Sequence, residues 1–536
     1  MKPVSPVPNL VFQSVLVRII GVLAELPLRV DIVTWGLTQP AQGSLAILPF
    51  VGPVMESTVQ RANDEYSGFL KFSLTYVVEP RLKDCLQLAD NIEPLMSKWY
   101  YNSSQEADVS VFIGSGCTDR FSMNIMAMNW NILMITCAAG VPSSDHKDLT
   151  PTWVTSSPYS EGSFIYLIIQ TLLKHGWVTP YVLLDQDANV LYSAVGRAFA
   201  PIAGRAGIRP VRGILTTSFK DSSSFQSILK DFQGVSRAML FLGHAEPFRK
   251  MLIEAAHRNM TNGDFVYIAM EAFQHKSFGN FTWNYNDSDD LVARSAFCSA
   301  FLIGMKQNLD QEMRMPDEDR LAAKWREDAQ TKYNMSYTED YRPLAYQYGT
   351  YLAVSATAKV LNESLLEFTG TKTDLPVWTS GKLLAQRFLN RSFSFNQQES
   401  YFNRFGVREV DIFANGFDAV SGTFKPYLQL VAKTHTVSTI GNVSWLSGSP
   451  PLNEPRCGFD NLRESCRPHA NQGTTVGAVA SVIGMIAIGI IVVLAKKRLD
   501  RTSDHTWWLL QSDWLYNDRN RLDSDFRQHC SRYSRI

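Results

Sequence analysis

Residues 473–498 read GTTVGAVASVIGMIAIGIIVVLAKKR. From Thr474 to Ala495 there are 22 residues without a charge. At a rise of about 1.5 Å per residue, a helix of that length crosses a hydrocarbon layer of about 30 Å. Helices inside soluble domains rarely run so far without a charge or a cap. Lys496, Lys497 and Arg498 follow the span directly. That basic flank places the C-terminal side in the cytoplasm. The reading divides the chain into a large outer part and a short inner tail, the topology of a single-pass type I protein of the cell membrane.

Bulk properties fit that division. The 536 residues are 45% hydrophobic with a formal net charge of zero, enough for two or more folding units and without the basic surplus of a nucleic-acid-binding chain. The tail, residues 496–536, holds nine Lys/Arg against six Asp/Glu, a mild positive bias suited to an anionic inner leaflet. Cys85, Cys117, Cys137, Cys298, Cys457 and Cys466 precede the span and Cys530 follows it. An even number outside and one inside fits disulfides in an oxidising space and a reduced thiol within. For Cys137 and Cys298, a bridge and a buried free thiol are equally good readings. Eight N-x-S/T sequons, at Asn102, Asn259, Asn280, Asn286, Asn334, Asn362, Asn390 and Asn442, all lie on the outer side, as glycan acceptors of a secreted region would. Residues 1–24 carry Lys2 and an apolar run, Leu10 to Leu23, interrupted by Arg18. They read as a signal peptide, with Val22-Leu23-Ala24 as its cleavage end.

Along residues 25–446, short β-branched or aromatic runs alternate with amphipathic segments. Strands are expected at Val30–Leu37, Phe69–Val78, Val109–Ile113, Ile132–Thr136, Tyr181–Leu184, Ala238–Leu242, Phe265–Ala269 and Ala296–Gly304. Helices are expected at Glu56–Tyr66, Arg81–Tyr100, Phe164–Gly176, Val190–Ala206, Ser224–Phe232, Glu246–Asn259, Asp319–Tyr333, Tyr346–Leu361 and Gly381–Leu389. Such alternation predicts an α/β fold with parallel sheets covered on both faces. The pattern pauses near Thr152–Pro158 and resumes, which predicts two lobes with a cleft between them. The two late helices should pack back on a lobe, and Arg408–Phe413, Gly416 and Tyr427–Val431 should form a terminal β-ribbon. Residues 447–472 begin with SGSPPLNEP, whose prolines predict a stiff stalk. The span follows at 473–495 and the tail at 496–536.

Pro455-Arg456-Cys457-Gly458-Phe459-Asp460, then Cys466, then the span, resembles the juxtamembrane end of receptor guanylyl cyclases and natriuretic peptide receptors. Met128-Asn129-Trp130-Asn131-Ile132 with Ile135-Thr136 and Gly140, and Thr261 to Tyr267 (TNGDFVY), resemble other stretches of that family. The resemblance implies a two-lobed receptor domain of the periplasmic-binding-protein type I fold. It also implies disulfides Cys85–Cys117 and Cys457–Cys466, an extracellular ligand that is a peptide or a small molecule, and a homodimer. For natriuretic receptors it implies a chloride ion held by backbone N–H groups, here at Gly116-Cys117. A helix N-terminus suits an anion; an ordinary strand-to-helix turn using glycine accounts for the same residues more simply.

Receptor guanylyl cyclases continue inward with kinase-like and cyclase domains, and about 40 residues cannot build either. Thr506–Asn517 (TWWLLQSDWLYN) resembles the start of that cytoplasmic part, and its rings suit an interfacial anchor. The chain therefore reads as a receptor signalling through dimer rearrangement. The alternatives are a truncated form of an enzyme that makes cyclic GMP from GTP, and a clearance receptor lacking a catalytic domain. Motifs for a P-loop, an HExxH metal site or a nucleophile elbow are missing. His175, His244 and His257 sit at no metal-ligand spacing. No catalytic residue, metal ligand or resident cofactor is assigned. Gly473/Gly477 and Ala480/Gly484 are small-residue pairs that let two spans approach.

Overall fold

The computed structural model describes residues 27–39, 47–103, 107–114, 117, 120–138, 146–157, 159–219, 223–274, 278–305, 315–339, 344–368, 375–395, 398–463, 466 and 472–499. The expected signal peptide and the aromatic segment of the tail lie outside them.

Two sheets organise residues up to Asp460. The first is all parallel. Its strands are β1 (Leu28–Trp35), β2 (Leu70–Val77), β3 (Val109–Gly114), β4 (Leu133–Thr136) and β5 (Trp153–Thr155), in the order β2-β1-β3-β4-β5. The second holds β6 (Tyr181–Asp185), β7 (Ile214–Thr217), β8 (Ala238–Leu242), β9 (Val266–Glu271), β10 (Ala300–Met305), β14 (Ile412–Asp418), β15 (Thr423–Val431) and β16 (Thr436–Thr439). Its order is β16-β15-β14-β10-β9-β8-β6-β7, parallel from β7 to β10 and antiparallel beyond. The antiparallel end is the terminal ribbon expected from the sequence, but it starts at Ile412 and runs on to Thr439, while Arg408 and Glu409 pair in a separate small sheet. A small antiparallel sheet, β11 (Arg391–Phe395), β12 (Gln398–Phe402) and β13 (Arg408–Glu409), stands apart.

Central strands such as VSVFIG and AMLFL are apolar at almost every position because helices cover both faces. Helices α1 (Leu48–Glu65), α2 (Cys85–Ser103) and α3 (Arg120–Trp130) follow successive strands of the first lobe. Helices α4 (Glu161–Lys174), α5 (Val190–Arg205), α6 (Ser223–Val235), α7 (Ala245–His257) and α8 (Asp290–Phe297) serve the second. The chain then returns, and α9 (Glu318–Tyr333) and α10 (Leu344–Glu367) pack on α1 as expected. A short α11 (Gly381–Gln386) lies against β4. A side chain at Gly381 would sit 2.3 Å from the Ile132 carbonyl carbon, so the approach needs glycine.

Several expected boundaries move; the helix expected at Arg81–Tyr100 is Cys85–Ser103, and the one expected at Tyr346–Leu361 is Leu344–Glu367. Helix α1 starts at Leu48, eight residues before the expected Glu56. Pro49 lies in its first turn, where a missing N–H costs nothing. The strand expected from Ala296 begins at Ala300, because residues 290–297 are helical and turn at Cys298. Finally, residues 447–453 are not a free stalk. Trp177 donates to the Pro451 carbonyl (2.8 Å), Thr179 uses its N–H and hydroxyl on Asn453 (3.1 and 3.0 Å), and Ser447 donates to the Gly263 carbonyl (3.4 Å). The segment docks on the second lobe.

Residues from Asn461 onward form a separate unit. Its helix, α12 (Gln472–Leu499), carries one stretch long and apolar enough to cross a membrane, Ala480–Arg498, with mean hydropathy 2.0. Ile483, Ile488 and Val493 are about three-fifths exposed. Apolar side chains exposed along Ala480–Arg498 fit lipid as their surroundings.

Candidate ligand crevice

In open parallel sheets, ligands collect beyond the carboxyl ends of strands, where connections leave to opposite sides. In the first sheet that point lies between β1 and β3. In the second it lies between β6 and β8. The chain passes from the first lobe to the second just after β5, through Ser156 and Ser157. Val407, beside β13, bridges back to Thr155.

At the first switch point, β1 ends on Trp35 and β3 on Gly114. A side chain at Gly114 would meet the Trp35 ring at 2.9 Å. The Trp35 ring also packs edge-on against Phe112, 5.9 Å between centroids. Cys85, at the start of α2, is disulfide-bonded to Cys117 beyond β3. The bridge ties the rim to the helix that supports it. Gly116 lies outside the described residues.

Between the lobes the floor is aromatic. Tyr159 of the crossing segment packs on Phe164 (5.4 Å) and on Phe273 of the second lobe (5.8 Å). Phe273 meets Tyr346 of the first lobe at 5.1 Å. Buried Arg408 donates to the Ser156 carbonyl (3.2 Å) and lies over the Tyr348 ring (4.9 Å). Burial pushes its guanidinium down to about 10. Ser156 in turn donates to the Gly349 carbonyl at 2.7 Å. These contacts join the two sheets through ring packing and a few hydrogen bonds.

The second-lobe wall is polar. Asp185 ends β6, His244 follows β8 by two residues, Glu271 ends β9, and Tyr192 lies on α5. Asp185 accepts the Asp187 N–H at 3.0 Å, folding the loop back on itself. His244 accepts the Asn189 N–H through Nε2 at 3.1 Å, so its proton sits on Nδ1. Burial lowers the His244 pKa, which keeps the ring neutral. The Tyr192 ring stands edge-on to His244 (5.8 Å) and to Phe278 (6.2 Å). Burial first, then the Glu271 charge, raises the Tyr192 hydroxyl far above its ordinary value. A side chain at Gly243 would sit 2.7 Å from Asp185 Cβ. Asp185 and Tyr192 are buried and His244 and Glu271 partly so, so these four groups form a polar cluster at the carboxyl ends of the strands. Among the described residues, no group of three or more His, Cys, Asp or Glu is placed to hold a metal ion.

None of these four residues was read from the sequence as a site. They span 86 positions, and no short motif joins them. The one available signal was position: Asp185 and Glu271 each close an apolar strand, YVLLD and VYIAME.

The expected cysteines and sequons are placed as follows. Cys457 and Cys466 are each disulfide-bonded. Cys137 and Cys298 are free thiols; Cys137 is fully buried, which pushes it up to about 11. Asn102, Asn259, Asn280, Asn286, Asn334, Asn390 and Asn442 are exposed, whereas Asn362 is half-buried on α10 and its partner Ser364 is buried. Trp99 is a core residue and Tyr100 stacks on Trp130 at 4.2 Å, while Tyr101 is exposed.

Residues 51–414 match the family model described as receptor family ligand binding region. Atrial natriuretic peptide receptor 2 of Bos taurus is 25% identical over 76% of this chain and 39% of its own length. The Rattus norvegicus form is 22% identical over the same shares. Guanylate cyclase 2G of Mus musculus is 20% identical over 94% of this chain and 45% of its own length. The chain thus spans about two-fifths of the length of these relatives. With two α/β sheets and a family match across most of both lobes, this chain belongs to the receptor family that bears this ligand-binding region and includes the natriuretic peptide receptors and receptor guanylyl cyclases.

Proposed function

We propose that the chain is a single-pass receptor of the cell surface, with the two lobes outside, which binds a peptide or small-molecule ligand and signals by rearranging a dimer. The observation that carries this reading is the pairing, in one chain, of a two-lobed crevice domain with a bare apolar helix ending in Lys496, Lys497 and Arg498. Ligand moves the lobes only by its difference in affinity between open and closed forms. The docked segment 447–453 offers the second lobe a mechanical route toward the span. Self-association finds support on the first lobe, where Leu86, Tyr101, Phe121 and Ile125 on α2 and α3 are 69%, 77%, 44% and 56% exposed.

The test is made on the full chain in cells. Glycosidase applied after synthesis should lower its mass, and protease added outside should leave the span and tail intact. Cross-linking should give a dimer whose yield changes with ligand. Unglycosylated protein with a protease-accessible KKR end overturns the orientation. A monomer at all concentrations overturns the dimer.

The similarity to guanylate cyclase 2G over 94% of this chain supports a second reading, in which the same outer region heads a longer product that makes cyclic GMP. Transcript sequence past the codon for Ile536 decides it. Bound ligand that is internalised without any cyclic GMP rise supports the clearance reading. A chloride at residues 116–117 is tested by whether chloride, against gluconate, raises the melting temperature.

A further inference from the structure

The crevice is not the only concave site on the first lobe. A cavity of about 260 Å³ opens between the second half of α1, helix α10 and the end of β11. Asn63 on α1 pairs with the Phe72 backbone in both directions (3.1 and 2.7 Å), pinning this end of the helix to the start of β2. The cavity therefore lies at the amino ends of the strands, opposite the crevice.

Its lining is chemically divided. Tyr66, Tyr351 and Phe395 supply rings, with Tyr351 edge-on to Phe395 at 6.1 Å. Arg61 and Glu65, one helical turn apart on α1, supply opposite charges. Arg61 uses Nη2 on Asp317 (3.0 Å) and the Pro316 carbonyl (3.4 Å). Among the described residues its hydrogen bonds run through that nitrogen alone, so the Nε and Nη1 hydrogens remain for a carboxylate. Glu65 lies in the lining beside Tyr66, whose hydroxyl burial keeps protonated. The neighbouring Glu363 is held by Arg391 at 2.6 and 2.8 Å, so Glu65 is the carboxylate left to the cavity. The volume falls just below the usual range for drug-sized ligands, about 300–1,000 Å³. It fits a molecule the size of an amino acid.

We propose that this cavity is a second binding site, for a small zwitterion with an apolar group: its carboxylate on Arg61, its ammonium on Glu65, and its ring or chain against Tyr66 and Phe395. The site is separate from the crevice and does not depend on the receptor reading, because it rests on the lobe and not on the orientation of the span.

The test uses the full chain in detergent and L-phenylalanine as probe, with phenethylamine and 3-phenylpropionate as analogues lacking one charge each. Phenylalanine should raise the melting temperature saturably at millimolar concentration, and each analogue should bind at least about tenfold more weakly. Arg61→Met should weaken phenylalanine binding about tenfold or more, and Ser355→Trp, which fills the cavity from its α10 wall, should abolish it. Asp185→Asn, in the crevice, should leave it unchanged. If Ser355→Trp fails to fold, Arg61→Met, on a partly exposed side chain, carries the test alone. No saturable response, equal binding of all three compounds, or binding lost in Asp185→Asn but kept in Arg61→Met overturns the proposal.

Discussion

The indole N–H of Trp177 donates to the backbone carbonyl of Pro451, 2.8 Å away and 274 positions later in the chain. Trp177 is fully buried. Its ring lies among His175 (4.5 Å), Trp445 (6.1 Å) and Phe301 (6.4 Å). A proline-rich segment has few N–H groups to offer a sheet, so a side-chain donor and ring packing hold it instead.

Replacing Trp177 with Phe should therefore loosen residues 447–453 while sparing the lobes. It removes the hydrogen bond, worth about 1 kcal/mol net, and part of the packing. Limited proteolysis of the native full chain should cut within this segment about tenfold faster, with the far-UV spectrum unchanged. An unaltered cleavage rate would mean that the segment is held elsewhere.

His175 gives this region a pH dependence. Burial, and then the charge of Lys174, hold its imidazole at about 4 against an ordinary value near 6.5. The folded state therefore prefers the neutral ring, and the unfolded state binds more protons between those two values. Stability should be constant above about pH 6.5 and fall as pH drops toward 4. His244, lowered in the same direction, adds to the slope. His175→Phe keeps a ring in the stack and removes the titration. Its melting temperature should fall less steeply than the parent's from pH 6.5 to 4.5. Equal slopes would refute the assignment.

The Cys85–Cys117 bridge closes a loop of sequence separation 32. Chain-entropy arguments give such a loop about 3–4 kcal/mol of stabilisation. The double variant Cys85→Ser/Cys117→Ser should lower the denaturant midpoint of the first lobe. It should also abolish most of the reductant sensitivity seen in the parent, the rest arising at Cys457 and Cys466. A parent midpoint indifferent to reductant would count against the bridge.

Glycan occupancy should be unequal among the eight sequons. Ser364 is 3% exposed and donates to the Val360 carbonyl at 2.7 Å inside α10, whereas Asn286 is exposed and adopts a positive φ of 58° in a loop. Asn286→Gln should increase gel mobility by one glycan, and Asn362→Gln should change nothing. A mobility shift for Asn362→Gln would show that glycosylation precedes folding of α10.

Much of this architecture was legible because it is local. Apolar runs such as VSVFI and AMLFL, alternating with helical stripes, announce a covered parallel sheet without knowledge of any partner. An uncharged stretch of 22 residues announces a helix long and apolar enough to cross a membrane. Boundaries were less secure where two local rules compete. LPFVGPVM at the start of α1 holds two prolines that argue against a helix, yet Pro49 sits where its missing N–H is harmless, and tertiary packing on α9 and α10 carries the helix through Pro53. AFCSAFLIG is apolar enough for one long strand, but the helix that precedes it continues to Phe297.

The sequence by itself determined the alternating α/β plan and the long apolar helix with its basic flank, because each depends on residues within a few turns of one another. Only the tertiary structure decided the crevice wall, the docking of residues 447–453 and the cavity behind α1. Asp185, Tyr192, His244 and Glu271 meet because strand order, not chain order, sets which carboxyl ends are neighbours. A hydrogen bond such as that from Trp177 to Pro451 joins groups whose separation in sequence carries no periodic signal at all.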